Sequence, residues 1–273
     1  MSTILKRVFT ATILAPGVIA LLFFSKRYNF RWAVGIFLAA AIAIAILEYS
    51  KLVNKTGASL PALPLCLISS AGFFAYVWFF PENTLLIICS IATLSILVSL
   101  GRGGIKKNIQ NVLFSVIGLA YIPWLLHYFY LIYQAETGIV HTINLLLIVW
   151  GYDTGAYLTG RLIGKHKISP KISPNKTAEG VVGGMVFAYI GASLSPIWIP
   201  YRTWIPHIAL IAVLVGLATQ LGDLFQSILK RKANVKDSGK LLPGHGGLLD
   251  RIDGFLFAIP VFYFYYHFIL RFV

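Results

Sequence analysis

Long, uninterrupted apolar runs are the feature that most constrains this sequence. Several of them extend for about 18–20 residues, the length that an α-helix needs to cross the hydrocarbon core of a bilayer. Only 12% of the residues are charged and 58% are hydrophobic, whereas a soluble domain carries about 25% charged residues. In lipid, each backbone polar group must be paired within the protein, so such spans are helical. The sequence therefore predicts an all-α, polytopic integral membrane protein.

The apolar runs predict nine transmembrane helices joined by short polar loops. Their approximate bounds are 8–24, 32–47, 62–80, 84–100, 112–133, 143–163, 181–199, 205–229 and 254–273. If the loops alternate between the two sides of the membrane, 18 Lys and Arg residues share the side of the N-terminus and 5 lie on the other. Because cytoplasmic loops carry the excess of Lys and Arg, we expect the protein in the cytoplasmic membrane, with its N-terminus inside and its C-terminus outside.

The net charge of +14 is explained by the membrane rather than by nucleic acid. The basic residues cluster in loops between apolar spans, which fits the positive-inside bias, anionic lipid head groups and an anionic substrate. We therefore expect membrane lipids as partners and no nucleic acid. The polar motifs all follow residue 150, so residues 1–140 are predicted to be a helical scaffold and residues 141–273 the catalytic region, with its site facing the cytoplasm.

Two polar clusters interrupt the spans ahead of the C-terminal loop. Asp153 lies in the sixth predicted span at a depth of about 15 Å, where an ionisable group is costly and suggests a functional site; a structural pair with a Lys or Arg is the alternative. Lys176 precedes Thr177, a predicted helix N-cap. The free N–H groups of that helix and the lysine would suit a phosphate, and simple capping of the seventh span is the alternative.

The densest polar stretch covers residues 227–253. The chain has nine carboxylates, and three of them, Asp237, Asp250 and Asp253, lie in this window. Asp223 is four residues upstream, at the end of the eighth predicted span. The oxygens of Asp223, Asp250 and Asp253 would suit a hard cation such as Mg²⁺. The stretch therefore predicts a metal site where two helices reach the cytoplasm.

The same stretch is rich in cations and glycine. Ser227 and Lys230 follow Asp223 on one helical face, and the glycines of residues 243–247 free the backbone to approach a ligand closely. A solvated, membrane-bound basic loop would explain the lysines, but not the carboxylates at a helix entrance. The side chains that could neutralise a triphosphate are Lys230, Arg231, Lys232, Lys236, Lys240 and Arg251.

These residues resemble a known signature, that of the phosphatidate cytidylyltransferases, also called CDP-diacylglycerol synthases. The segments 153–157 (Asp-Thr-Gly-Ala-Tyr) and 173–180 (Ser-Pro-Asn-Lys-Thr-Ala-Glu-Gly) are also similar to the family's. Residues 1–140 resemble it only as a series of membrane spans. The positions that match the main signature are Ser227, Lys230, Arg231, Lys236, Asp237, Gly239, Leu242, Pro243, His245, Gly246, Gly247, Asp250, Arg251 and Asp253.

The resemblance implies transfer of the cytidylyl group of CTP to phosphatidic acid, giving CDP-diacylglycerol and pyrophosphate. It implies Mg²⁺ on Asp223, Asp250 and Asp253, a second, monovalent cation such as K⁺, and a homodimer. Lys230 and Arg231 join the carboxylates as expected catalytic residues. The residues expected to bind substrate are Ser227, Lys176, Lys236, Asp237, His245, Arg251 and Asp153.

Two other functions remain open from the sequence. A CTP-dependent lipid-alcohol kinase is closest in chemistry, but it would transfer the γ-phosphoryl group and release CDP. A cation-coupled transporter would also carry an ionisable residue such as Asp153 within a span. Transporters usually show repeat symmetry between halves, however, and here the polar motifs occupy only the second half.

Overall fold

Helices account for nearly all regular structure in this protein, which confirms the all-α prediction. The computed structural model describes residues 16–79, 104–194, 205–241 and 246–270, together with residues 90, 93, 94, 96–98 and 100. A π-helical turn, Tyr265–Leu270, follows the final α-helix. The helices are α1 (16–27), α2 (Arg31–Asn54), α3 (Ala62–Phe79), α4 (Ile105–Tyr121), α5 (Pro123–Gln134), α6 (Gly138–Leu162), α7 (Ala178–Ser193), α8 (Ile205–Lys232) and α9 (Leu249–Phe264).

Four helical segments of the described chain are long and apolar enough to cross a membrane. They are Trp32–Asn54, Ile105–Gln134, Ile205–Lys232 and Leu249–Leu270, and they correspond to the second, fifth, eighth and ninth predicted spans. Two shorter apolar helices, α3 and α7, coincide with the third and seventh. Most of the fourth predicted span lies outside the described residues, as do parts of the first and seventh. The chain is thus an integral membrane protein, while the count of nine spans stays a prediction.

Several helix boundaries differ from those predicted. Helix α2 continues to Asn54 instead of ending near residue 47. The predicted fifth span consists of two helices that meet at Ile122, next to Pro123. Proline lacks an N–H group and disfavours helical geometry in the residue before it, which accounts for the break. Helix α9 begins at Leu249, earlier than the predicted residue 254.

Helix α4 shows the polarity expected of a helix in lipid. Its polar residues Asn111 and Ser115 are buried, whereas Ile109, Leu113 and Val116 are exposed. Apolar side chains on the outer surface cost nothing in a bilayer, because lipid tails are as apolar as leucine. The exposed apolar face therefore supports the assignment of Ile105–Gln134 as a membrane span.

The chain divides into two compact units. Unit 1 contains residues 1–130 and 229–252, and unit 2 contains residues 131–228 and 253–273. The predicted division at residue 140 separates a scaffold from a catalytic region, and it stays a prediction. The compact units have different boundaries. The charged loop after α8 belongs to the same unit as the N-terminal helices.

Unit 2 is built around close contact between α6 and α7. A Cβ atom on Gly155 would lie 2.6 Å from the carbonyl oxygen of Gly183, and one on Gly191 would lie 2.5 Å from that of Leu147. Small residues let the two backbones approach directly, as is common between membrane helices. The contact fixes the end of α6 beside the start of α7, where polar residues lie.

A short hairpin joins α6 and α7. Strand β1 (Lys167–Ser169) pairs antiparallel with β2 (Ser173–Thr177). Thr177 then caps α7, because its side chain accepts a hydrogen bond from the backbone N–H of Gly180 at 3.1 Å. The predicted N-cap is therefore confirmed.

Candidate active site

The end of α8 leads directly into the charged loop of unit 1. Asn234 adopts a left-handed conformation, with φ of 54°, and the N–H of Val235 donates to the carbonyl of Lys230 at 3.0 Å. A left-handed residue just past a helix end satisfies its last carbonyls and turns the chain away. The turn leaves Lys230 in the last helical turn, above the start of the loop.

Asp250 organises this loop. Its Oδ1 accepts a hydrogen bond from Lys230 Nζ at 2.8 Å. Its Oδ2 accepts bonds from the backbone N–H of Ser238 at 2.8 Å, the Ser238 hydroxyl at 2.9 Å and the N–H of Gly247 at 3.0 Å. The Asp250 side chain is only 4% exposed. Both oxygens are thus engaged in holding the loop against the first turn of α9.

The other charged residues of the loop lie at the surface of unit 1. Arg231, Lys236, Asp237 and Arg251 are exposed. Of the predicted site residues in this loop, the structure pairs Lys230 with Asp250. The predicted roles of the other residues are still predictions. His245 lies outside the described residues.

Glu48 of α2 is a member of this cluster that the sequence did not predict. Its side chain is buried, and it accepts hydrogen bonds from the backbone N–H groups of Leu248 and Leu249. An ionisable residue within a membrane helix is a functional candidate by default. That signal was available, but ending the second span at residue 47 placed Glu48 in a loop.

A second ion pair occupies unit 2. Lys176 Nζ, at the end of β2, donates to Asp223 Oδ2 on α8 at 3.0 Å. The two side chains are 20% and 28% exposed, so the pair is open to solvent on one side. An ammonium group has three donors and this one uses one of them on the carboxylate. Lys176 thus keeps donor capacity for an anion.

Asp253 lies beside Asp223 in the same unit. A Cβ atom on Gly254 would lie 3.4 Å from Asp223 Oδ1, and a Cβ atom on Gly222 would collide with the carbonyl oxygen of Asp253. The side-chain Oδ1 of Asp253 accepts the N–H of Gly254 at 2.9 Å. The two glycines therefore allow the backbones to meet and place both carboxylates at one helix crossing.

Buried polar residues surround this crossing. The hydroxyl of Tyr152 donates to Gln220 Oε1 at 3.0 Å, and both residues are buried. The next residue, Asp153, is exposed on α6. Ser227 is half-buried one helical turn beyond Asp223. The sequence did not predict the pairing of Tyr152 with Gln220, because the two residues are 68 positions apart and meet only in the folded protein.

The hairpin between α6 and α7 is held by Glu179, in the first turn of α7. Its carboxylate accepts the backbone N–H groups of Lys165 and His166 and contacts Nδ1 of the His166 ring at 2.5 Å. Hydrogen bonds from its own backbone N–H and from that ring lower the pKa of Glu179 to about 2. This carboxylate therefore stays ionised and keeps the hairpin attached to α7.

The residues fit a hard cation in part. Asp223 and Asp253 lie on neighbouring backbones at one helix crossing, and carboxylate oxygens are the ligands that Mg²⁺ prefers. Within either unit, the described residues contain no group of three His, Cys, Asp or Glu side chains placed to hold a metal ion. Asp250 stays a predicted ligand, and the bonds that both its oxygens already accept favour a structural role. The second, monovalent cation that the resemblance implies stays a prediction.

The fold and the two clusters define the class: a helical membrane protein with paired lysines and carboxylates near the ends of its helices. The chain belongs to the cytidylyltransferase family, whose model matches residues 5–269. It is 40% identical over 156 residues to the phosphatidate cytidylyltransferase of Staphylococcus saprophyticus, covering 57% of this chain and 59% of that relative. It is also 40% identical over 182 residues to the protein of the same name in Bacillus subtilis, covering 64% and 66%.

Proposed function

We propose that this protein transfers the cytidylyl group of CTP to phosphatidic acid, forming CDP-diacylglycerol and pyrophosphate in phospholipid biosynthesis. Membership of the cytidylyltransferase family and the names of the similar proteins support this reaction. The observation that carries the proposal is the cluster of Lys176, Asp223 and Asp253 in unit 2. In this proposal the ammonium group of Lys176 would bind a phosphate, and the neighbouring carboxylates would suit a divalent metal.

The reaction needs charge neutralisation more than a strong base. An oxygen of the phosphatidate monoester attacks the α-phosphorus of CTP, the bond from that phosphorus to the bridging oxygen of the β-phosphate breaks, and pyrophosphate leaves. The attacking oxygen is already anionic near neutral pH, so no proton has to be removed from it. The difficulty is to bring two anions together, which positioned cations overcome.

Two half-buried lysines are suited to this task. Lys176 and Lys230 each hold one carboxylate, at 3.0 and 2.8 Å, and each has further N–H donors for phosphate oxygens. The carboxylate partner keeps each ammonium group in place before substrate binds. Arg231, Arg251 and Lys236, all exposed, would bind phosphates at the surface of unit 1.

The remaining predicted residues have supporting roles in this proposal. Ser227 would donate its hydroxyl to the nucleotide, and Asp237 and His245 would shape the nucleotide loop. Asp153, on α6, would contact the lipid head group. Asp223 and Asp253 would hold Mg²⁺, which stabilises negative charge on phosphate oxygens and on the pyrophosphate leaving group when bound. A monovalent cation, a homodimer and a site facing the cytoplasm, with the N-terminus inside and the C-terminus outside, belong to the same proposal.

The test is a reconstitution with purified full-length protein, CTP, phosphatidic acid and Mg²⁺. We expect cytidine label in the lipid product and release of pyrophosphate. Label from the γ-phosphate in the lipid, with CDP released, would instead identify a lipid-alcohol kinase. Ion uptake into liposomes without nucleotide chemistry would identify a transporter.

The variant Asp253→Asn links the activity to the site. We expect a loss of turnover of about 100-fold or more, because a charge that stabilises the transition state is removed, while the protein still folds and inserts. Glu136→Gln, which removes an exposed carboxylate elsewhere in unit 2, is the matched control and should keep full turnover. Near-normal activity of Asp253→Asn in Mg²⁺ would refute the metal assignment.

A further inference from the structure

Glu48 is buried in the middle of the loop that carries the family signature. It lies on α2, about 190 residues before its partners, with 6% of its surface exposed. Its Oε1 accepts the N–H of Leu248 at 3.1 Å and its Oε2 accepts the N–H of Leu249 at 2.9 Å. These donors belong to the start of α9, where N–H groups have no helical partner. Glu48 therefore caps α9 from another helix.

The same carboxylate is joined to Asp250 through one hydroxyl group. Ser238 Oγ lies 3.0 Å from Glu48 Oε2 and 2.9 Å from Asp250 Oδ2. Because a hydroxyl has a single proton, the two acceptors share it. Asp250 in turn holds Lys230. A continuous chain of polar contacts thus runs from Glu48 to the lysine that the proposed function assigns to phosphate binding.

The glycines of the signature loop are shaped around this carboxylate. A Cβ atom on Gly247 would lie 2.6 Å from the carboxyl carbon of Glu48, and one on Gly239 would lie 2.8 Å from it. A Cβ atom at such a distance would require the Glu48 carboxylate to shift, so glycine at these positions lets the loop residues pack against Glu48 where it lies. Two of the matching signature glycines are therefore explained by Glu48 itself.

We infer that Glu48 is a positioning residue of the active site: it holds residues 238–239 and 247–249 in place and, through Ser238 and Asp250, sets the position of Lys230. The inference rests on the proposed function for its kinetic consequence. It assigns a direct part in the site to the N-terminal half of the chain, which the sequence predicts only as a scaffold. The carboxylate acts through backbone and side-chain contacts, and no contact with substrate is required.

The experiment compares Glu48→Gln with Tyr49→Phe in the full-length protein. The Gln side chain has an NH₂ group in place of one carboxylate oxygen, so a donor would face the N–H groups of the loop. Tyr49→Phe removes a buried hydrogen bond to the carbonyl of Phe114 at 2.8 Å and changes no contact with the loop. Tyr49→Phe is thus the matched control for a loss of stability in the same helix. We expect Glu48→Gln to lower kcat about 10-fold or more, the factor equivalent to one buried hydrogen bond, with KM for CTP changed less than about threefold. The control should keep kcat within about twofold.

Hydrogen exchange gives a second measurement that does not depend on activity. We expect amides 246–250 to exchange about 10-fold faster in Glu48→Gln than in the wild type, with α4 unchanged. Equal acceleration in α4, or no acceleration at 246–250, would overturn the inference. If the wild type makes no CDP-lipid, the proposed function fails, while the exchange comparison still decides whether Glu48 shapes the loop.

Ser238→Ala serves as a second variant if Glu48→Gln yields too little folded protein. It keeps both carboxylates and removes only the hydroxyl between them. We expect kcat about fivefold lower in Ser238→Ala. Where Glu48→Gln does fold, Glu48→Gln/Ser238→Ala should lose less than the product of the two single losses, because contacts in one network are not additive. Unchanged kcat in Ser238→Ala, or strictly multiplicative losses, would contradict the chain of contacts.

Discussion

Two ion pairs of the same residue types serve different purposes in this protein. Lys230–Asp250 in unit 1 and Lys176–Asp223 in unit 2 have almost equal lengths, 2.8 and 3.0 Å. Their carboxylates differ in surroundings: the Asp250 side chain is 4% exposed and that of Asp223 is 28% exposed. Asp250 also accepts bonds from Ser238 and Gly247, while in the described part of the chain the Asp223 carboxylate accepts one side-chain bond, from Lys176.

This difference teaches how much of each carboxylate is available for chemistry. A buried charge is costly unless its partners satisfy it, and removing one partner leaves the other uncompensated. Asp250 meets that condition because both of its oxygens accept hydrogen bonds from residues of unit 1. Asp223 is partly solvated, so it tolerates an exchange of partners, and its Oδ1 faces the Gly254 backbone next to Asp253. The first pair therefore maintains the loop, and the second is open to ligands.

The largest expected effect comes from Asp223→Asn. We expect kcat/KM for CTP to fall about 10³-fold, the order found when a charge that stabilises phosphoryl transfer is lost. Stability should fall by less than about 1 kcal/mol, because a partly exposed ion pair contributes little. Radiolabelled CDP-lipid formation measures the first quantity and thermal unfolding in detergent the second. A large fall in the unfolding temperature would show that the Lys176–Asp223 pair is structural, like Lys230–Asp250. Activity above about a tenth of wild type would show that Asp223 is not needed for the reaction.

Asp250→Asn tests the other side of the comparison. The substitution leaves the half-buried ammonium of Lys230 without its counter-ion, which costs up to about 3–5 kcal/mol, the range for a fully buried pair, so the unfolding temperature should drop by several degrees. Replacing both partners, as in Lys230→Met/Asp250→Asn, should recover part of the stability, because no ammonium is then left without its counter-ion and the Asn carbonyl oxygen can still accept the loop N–H groups. Activity should not return, since the phosphate donor is gone. An Asp250→Asn protein as stable as the wild type would show that Asp250 is not structural.

Spans and charged residues could be predicted from the sequence, but their pairing could not. Apolar length identifies α2 and α8, the cost of charge in a span draws attention to Asp153, and the nearby carboxylates of residues 227–253 draw attention to Asp223. The partners Lys176 and Asp223 are 47 positions apart, however, and nothing in either segment specifies the other. Only tertiary packing, such as the contact of Gly222 with the backbone of Asp253, brings such residues together.

Glu48 shows how a boundary error hides a residue. Ending the second span near residue 47 follows from hydropathy, which falls at the first carboxylate. The helix continues to Asn54 because Glu48 is satisfied by N–H groups of a distant loop. Likewise, Gly247 was predicted to admit a ligand, whereas its close neighbours in the structure are Glu48 and Ser238. A hydropathy value describes the transfer of an isolated residue from water to an apolar phase. It therefore takes no account of hydrogen-bond partners that the folded protein supplies.

Glu179 extends the comparison to a partly exposed carboxylate, 22% exposed, that accepts several hydrogen bonds, and the smallest effect is expected there. Its depressed pKa, about 2, means that its contribution to the hairpin is present above the ordinary range near 4.5 and is lost as the pH falls towards 2. Protection of the Lys165 and His166 amides, corrected for intrinsic exchange, should thus be unchanged between about pH 7 and about pH 4. Glu179→Gln should accelerate exchange at these amides several-fold without lowering the unfolding temperature measurably, because solvent replaces the lost contacts. Loss of protection with a midpoint near 4.5 would show that the pKa of Glu179 is not depressed. A drop of several degrees in the variant would show that a partly exposed carboxylate can also be structural.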